Sequence, residues 1–577
     1  MPQKGVVTGS CLETKATNPL ASEAITRYVA TRRGLRHAPH ATAFAAILFF
    51  MPALTEAAAP SDVGDRATEN AGNTKPAPTD RFFIKEFRVQ GATKLPRIEV
   101  EAAVYRFMGP GRTKDDVEKA RAALEKAYQD KGFQTVAVEI PEQQITGGVV
   151  RLRVEERTVG RLRVKGARYS SPRQLKAMAT SVAEGKVINF NEVTPNIVAL
   201  NQLPDRRVTP SLREGRDPGT VDVDLDVKES LPVHASVELN NRYGPDTDPL
   251  RLNATVSDNN LWQLGHAASF SYQTAPQDPS QVEVYSAYYL ARFENVEWLS
   301  LMLQGTKQNS NVSTLGDVAV AGRGDSVGLH AIFNLPPAEN FTNSANVGID
   351  YKHFDQLLNL GTSASGKVET PITYYPLSAT YSAAWTGKRN STELNAGVTL
   401  NLREVGGNQA EFANSRFNSD GGFVYFHGDL SHTQELPFGF QAFGKVQGQL
   451  SDQPLVSGEE ASGGGLGTVR GYLEAEVVGD NAAFGTVELR SPPLQRYVGL
   501  KNGEIRIYGF YDGGVVTLID PLPGQTSRYY LASYGYGARL HLSDYFDGLL
   551  NISYPQYSQA ETKAGDIRVT FRAELDY

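Results

Sequence analysis

Cysteine is almost missing from this sequence: Cys11 is the only one in 577 residues. It lies ahead of the apolar segment described below, so disulfide staples and thiolate metal sites are excluded from the bulk of the chain. The nine histidines are scattered, with no HxxxH or HxH pair, and neither a GxxxxGK phosphate loop nor a GxSxG nucleophile turn occurs. No catalytic constellation, metal site or cofactor is therefore expected. An excess of positive charge is lacking too: 57 Lys and Arg stand against 64 Asp and Glu, a net charge of -7. That balance offers no general attraction to phosphate backbones, and no nucleic-acid partner is expected. Long apolar runs are also absent. The one candidate, Ala41 to Leu54, falls short of the ~20 residues a membrane helix needs and is broken by Pro52. With Arg32, Arg33 and Arg36 before it and Ala57, Ala58 and Ala59 after it, it has the form of a signal-peptide core, which implies export through the inner membrane and sets residues 1–59 apart from the mature fold.

Residues 60–81 (PSDVGDRATENAGNTKPAPTDR) have little to bury and predict a flexible linker. A repeat follows. Phe87-Arg-Val-Gln-Gly91-Ala92 returns as Leu162-Arg-Val-Lys-Gly166-Ala167, 75 residues on, and Val150-Arg-Leu-Arg-Val-Glu-Glu156 returns as Val223-Asp-Leu-Asp-Val-Lys-Glu229. Two copies of one α/β domain, 82–156 and 157–229, are predicted in the order β-α-α-β-β. In the first, Thr113 to Asp116 is a capping-box variant ahead of an apolar stripe of Val117, Ala120, Leu124, Ala127 and Tyr128, with Gly132 as C-cap. In the second, Ser171-Pro172 opens one helix and residues 191–202 form the next. A three-stranded sheet covered by two helices leaves a strand edge open to an extended peptide. Val136, Val138 and Ile140 mark the candidate partner-capture strand of the first copy.

From residue 230 to 577 helical periodicity gives way to sixteen alternating runs. Leu394, Ala396, Val398, Leu400 and Leu402 alternate with small or polar residues; Tyr534, Tyr536, Ala538, Leu540 and Leu542 alternate with Gly535, Gly537, Arg539 and His541. In the last run Ile567, Val569, Phe571, Ala573, Leu575 and Tyr577 alternate with Arg568, Thr570, Arg572, Glu574 and Asp576. Alternation alone fits a sandwich or a barrel. Sixteen successive runs without helices, behind a signal peptide and without cysteine, favour a closed barrel with its apolar face toward lipid, where no strand edge can stay unpaired. The predicted fold class is thus mainly β: a 16-stranded antiparallel transmembrane β-barrel preceded by two periplasmic α/β domains.

Between the eleventh and twelfth runs lies the long stretch 451–481, containing SGGGLGTVRGYLEAEVVGD. Its Val469-Arg470-Gly471-Tyr472 resembles the VRGY/F motif in the sixth extracellular loop of outer-membrane protein transporters and assembly factors. Gly479-Asp480, Glu488-Leu-Arg490 and Tyr508-Gly-Phe-Tyr-Asp512-Gly513-Gly514 fit the same pattern. Pro141-Glu142-Gln143 with Gly148, Leu200-Asn201-Gln-Leu203-Pro204 and Asp258-Asn259-Asn260-Leu261-Trp262-Gln-Leu264-Gly265 resemble the haemolysin-activator and filamentous-haemagglutinin-transporter family, over roughly 82–577. The resemblance implies that the repeats are POTRA domains in the periplasm and that the barrel lies in the outer membrane. It implies an in-folded loop whose Arg470 pairs with Asp512 on the inner wall, which agrees with Arg506, Tyr508, Phe510 and Asp512 sharing one face. It further implies export of one large exoprotein bearing an N-terminal secretion domain, with activation of that partner in some members, and no enzymatic role. The terminal aromatic resembles the signal read by the barrel-assembly machinery. Residues 60–81 lack the 3.6-residue stripe of the plug helix some members carry. An insertase of the same superfamily and a passive porin are the alternatives; more POTRA repeats would be usual for the first, and none for the second.

Overall fold

The computed structural model describes residues 81–577, apart from 146, 294, 295, 297, 311, 314–319, 322, 360–366, 498, 501, 502 and 544. The expected signal peptide and all but the last residue of the linker, with its plug-helix question, lie outside the described residues.

Two α/β units come first. In the first, Glu86–Gln90 runs parallel to the central strand Val149–Glu155, and Ala137–Glu139 pairs antiparallel on the other side. Helices Arg97–Tyr105 and Lys114–Asp130 cover this sheet. Thr113 and Asp116 form the expected capping box, and Val117, Ala120, Leu124 and Tyr128 enter the core. The unit departs from plain β-α-α-β-β through two short strands, Phe82–Ile84 and Gly109–Arg112, which among the described residues pair only with each other. The second unit repeats the arrangement with Thr158–Lys165, Thr220–Glu229 and Arg206–Glu214. Its helices are Pro172–Met178 and Phe190–Leu200; Pro172 takes the first helical position while the Ser171 side chain makes no capping bond.

The 75-residue repeat has a physical cause. Gly91 and Gly166 both adopt a left-handed backbone, and a Cβ there would sit 2.3 Å from the Val154 carbonyl oxygen and 2.4 Å from that of Val227, respectively. Only glycine lets the first strand turn away so close to the last. The closing glutamates then hold that turn. Glu156 accepts from the N–H groups of Thr93 (2.6 Å) and Lys94 (2.7 Å), and Glu229 from those of Arg168 (2.7 Å) and Tyr169 (2.8 Å).

Among the described residues, sixteen antiparallel strands close into a barrel, from Val233–Asn240 to Arg568–Asp576. The eighth strand is split into Lys367–Tyr374 and Leu377–Thr386 at Pro376, which has no N–H to donate, and both halves pair with Phe341–Asn359. Closure is antiparallel: Arg572 faces Asn240 and Asp576 faces Ser236, and Tyr577 and Ala235 exchange main-chain bonds. Tyr534, Tyr536, Ile507, Tyr511, Val569 and Leu575 are exposed on the outer wall, while Tyr508, Phe510 and Asp512 are buried inside, as alternation predicts. All three tryptophans, Trp262, Trp298 and Trp385, are exposed at the short-turn end that adjoins the α/β units. There they form part of an aromatic belt at the membrane surface.

Candidate functional site

The longest connection, between Gln441–Ser451 and Asn481–Arg490, folds back into the lumen. Its tip carries Arg470, brought against the wall by Gly471, whose φ of +96° turns the chain where a Cβ would press on Ser533 and Ser553. The Arg470 guanidinium donates twice to Asp512, Nε to Oδ2 and Nη2 to Oδ1, each at 2.7 Å, and its own backbone N–H adds a third bond at 3.0 Å. Nη1 reaches Glu488 Oε1 at 2.7 Å, and the guanidinium lies over the Phe510 ring, 3.5 Å from its centroid. Glu488 also takes Arg490 (2.7 Å) and Arg539 (3.2 Å), so three cations share two carboxylates. Stripped of water, planar bidentate pairing of this kind is directional as well as strong.

The residues around Arg470 secure the turn. Val469 is fully buried with Val477, Phe484, Val516 and Leu531. The Tyr472 hydroxyl lies 3.1 Å from the Ala532 carbonyl and 2.9 Å from that of Tyr557, and accepts from both their N–H groups. Farther along, Glu474 meets Arg242 at 2.9 Å beyond the first strand. Asp480 accepts the N–H groups of Leu455 and Ile519, each at 2.6 Å, and the Arg416 guanidinium at 3.2 Å.

The other motif residues fall at joints. Gln143 exchanges side-chain bonds with both main-chain groups of Arg151 (2.7 and 2.8 Å), continuing the sheet edge where Pro141 ends it. Asn201 does the same for Val208, at 2.6 and 3.0 Å. Asn259 donates to Asp205 at 3.0 Å and Asn260 to the Tyr169 carbonyl at 2.9 Å, fastening the second barrel strand, Arg251–Leu261, to the second α/β unit. Of the candidate capture residues, Val136 and Val138 turn their side chains into the first core, while Ile140 is exposed. Ala137–Glu139 is an edge strand, so its main chain is what that edge offers, apart from the Val138 carbonyl, which accepts from Arg121 Nη1 at 3.3 Å.

A family model described as haemolysin secretion/activation protein ShlB/FhaC/HecB matches residues 219–540, more than half of the chain. The chain belongs to that family. A POTRA domain of the ShlB type matches residues 82–156. The protein is thus a two-partner secretion transporter of the outer membrane, with its POTRA domains in the periplasm. This ShlB-type transporter is 19% identical over 451 residues to the outer membrane transporter CdiB of Dickeya dadantii, covering 75% of this chain and 76% of that one. It is 20% identical over 404 residues to the heme/hemopexin transporter protein HuxB of Haemophilus influenzae, covering 68% and 69%. Its fold is similar to solved structures of CdiB from Escherichia coli (TM-score 0.62, 18% identity, 89% and 93% covered) and from Acinetobacter baumannii (0.57, 15%, 87% and 91%).

Sequence reasoning named Arg470 and Asp512 but gave Glu488 no role. It also missed the helix Gln409–Ser415 in the preceding long loop, whose signal was there: Asn408 caps it by accepting from Glu411 N–H at 3.0 Å.

Proposed function

We propose that this transporter recognises one large unfolded exoprotein in the periplasm through its POTRA sheet edges and passes it outward through the barrel, the in-folded loop giving way as it does so. The observation that carries the reading is the Arg470 latch: a loop that crosses a polar lumen and is held there by ions and hydrogen bonds can let go without unfolding the wall. Capture by strand addition is supported by the Ala137–Glu139 edge with exposed Ile140 beside it. The corresponding edge of the second unit is blunted further: Asn201 occupies both main-chain groups of Val208 and Pro210 has no N–H, whereas on the first edge Arg121 takes only the Val138 carbonyl. No nucleotide motif supplies energy, so folding of the partner outside the cell would draw it through. The experiment is export of a co-produced exoprotein carrying an N-terminal secretion domain, from cells with the full chain and with residues 82–229 removed. Release into the medium should need those residues, and equal release without them overturns the capture step.

A further inference from the structure

The tip of the loop is only one of its attachments. At its stem, eleven residues before Arg470, Glu459 enters a separate sector of the wall. One carboxylate oxygen accepts from the Lys352 ammonium on the seventh strand and from the Tyr374 hydroxyl on the eighth, the latter at 2.8 Å. The other accepts from the Tyr425 hydroxyl on the tenth at 2.6 Å. The Lys352 and Glu459 side chains are each 1% exposed. Leu455 and Val456 pack beside them against Phe354, Ile372, Phe412 and Phe423, and Gln449 holds the Glu459 carbonyl at 2.9 Å. Phe412 belongs to the short helix missed in the sequence, so that helix closes the pocket over the stem.

Taking a carboxylate and an ammonium out of water is costly, and their attraction offsets this only when both are present and their remaining hydrogen bonds are made. Such a pair adds little net stability over an apolar contact but strongly distinguishes one seating of a segment from all others. If the stem lifts into a wet lumen, both ions are hydrated again and the cost disappears, so the pair has two tolerable states and few between. We infer that Glu459 and Lys352 are positioning residues that form a second clasp of the loop, distinct from the Arg470 latch, and that the lumen rests closed only when both clasps are engaged. This concerns the resting state of the purified protein and holds or fails independently of which partner is exported.

The test is single-channel recording of the purified full chain in planar bilayers, with heat-modifiable migration as the check that the barrel is folded. Lys352→Met and Glu459→Gln should each raise the frequency of large openings about tenfold or more, since breaking a buried pair costs well over the 1.4 kcal/mol that tenfold represents. The exchanged pair, Lys352→Glu with Glu459→Lys, should return openings toward the parent level. Folded single variants that conduct like the parent overturn the inference, as does an exchange that stays as open as the singles. If charge removal prevents folding, Tyr425→Phe removes one hydrogen bond and no charge; it should raise openings several-fold, and parent-like conductance then overturns the clasp.

Discussion

Asp205 of the second α/β unit and His234 of the first barrel strand face each other with Oδ2 2.8 Å from Nε2. The same oxygen accepts from Asn259, and Oδ1 from the Ser230 hydroxyl at 3.2 Å, so one carboxylate ties the periplasmic arm to two strands and to the segment that leads into the first of them. Burial would raise the Asp205 pKa, but the bonds from His234 and Asn259, with the His234 charge, hold it below the ordinary range. Asp205→Ala leaves three donors without their acceptor, a loss of about 1–3 kcal/mol at the joint. We expect the barrel to assemble and the arm to swing. Because Cys11 is the only native cysteine, spin labels at Asp217→Cys and Lys388→Cys can report it. The distance distribution should broaden in the variant; an unchanged distribution would show that the joint is held by other contacts.

Arg470→Lys keeps the charge but not the fork. An ammonium cannot donate in parallel to both Asp512 oxygens, reach Glu488 and lie flat on Phe510 at once. Arg470→Ala goes further and leaves Asp512 and Glu488 facing fewer cations; breaking a buried pair costs about 3–5 kcal/mol, less where lumen water reaches. Both variants should yield a folded barrel that exports little or nothing, with the lysine form closer to alanine than to the parent. Export of the exoprotein into the medium measures this, and normal export by Arg470→Ala would remove the latch from the mechanism.

The wall was legible because lipid and water impose opposite demands on alternate residues, so Ile507 and Tyr511 declare themselves against Tyr508 and Asp512 without any knowledge of neighbours. The α/β units were legible because Gly91 and Gly166, 75 residues apart, and Glu156 and Glu229, 73 apart, repeat one geometric need. What stayed hidden depends on stagger. Glu488 joins Arg470 because the twelfth and thirteenth strands register Glu488 against Phe510 and Thr486 against Asp512, and no single-strand pattern gives that offset. Glu459 and Lys352 lie 107 residues apart and meet only once loop, seventh strand and barrel closure are all in place. Gly109–Arg112 has no strand propensity of its own and is extended because Phe82–Ile84 pairs with it.

Acid should loosen the periplasmic units before the wall. At Glu156 and Glu229 burial opposes ionisation, but the hydrogen bonds from Thr93 and Lys94, and from Arg168, Tyr169 and Ser170, overcome it and lower both pKa values. A carboxylate whose folded pKa is depressed contributes stability that is full above the unfolded value, about 4.3, and disappears as pH falls through the folded one. Hydrogen-exchange protection at residues 91–95 and 166–170, taken relative to the intrinsic rate at each pH, should therefore fall below about pH 4. Glu156→Gln should leave the first of these segments weakly protected already at pH 7 and flatten the pH dependence of its protection, while the second keeps its own. Equal pH responses at the first segment in the parent and in Glu156→Gln would mean that Glu156 is not what holds the turn.

Tyr472→Phe isolates the tip from its charge. The ring would still fill its site, yet the main-chain groups of Ala532 and Tyr557 that now meet the hydroxyl would lose that partner. Unsatisfied buried groups of this kind cost about 1–3 kcal/mol each at most, and here they belong to the fourteenth strand and to the connection before the sixteenth, beside the Arg470–Asp512 contact. If the latch depends on ions alone, the variant should export normally. If the turn must also be pinned to the wall so that Arg470 meets Asp512 squarely, export should fall several-fold while Asp512 and Glu488 remain intact. We expect the second outcome, because Gly471 fixes the turn only together with the residues that flank the Arg470-Gly471 pair: Val469 packs one side and the Tyr472 hydroxyl ties down the other. Parallel export assays of Tyr472→Phe and Arg470→Lys decide it, and wild-type export by Tyr472→Phe would confine the latch to its charges.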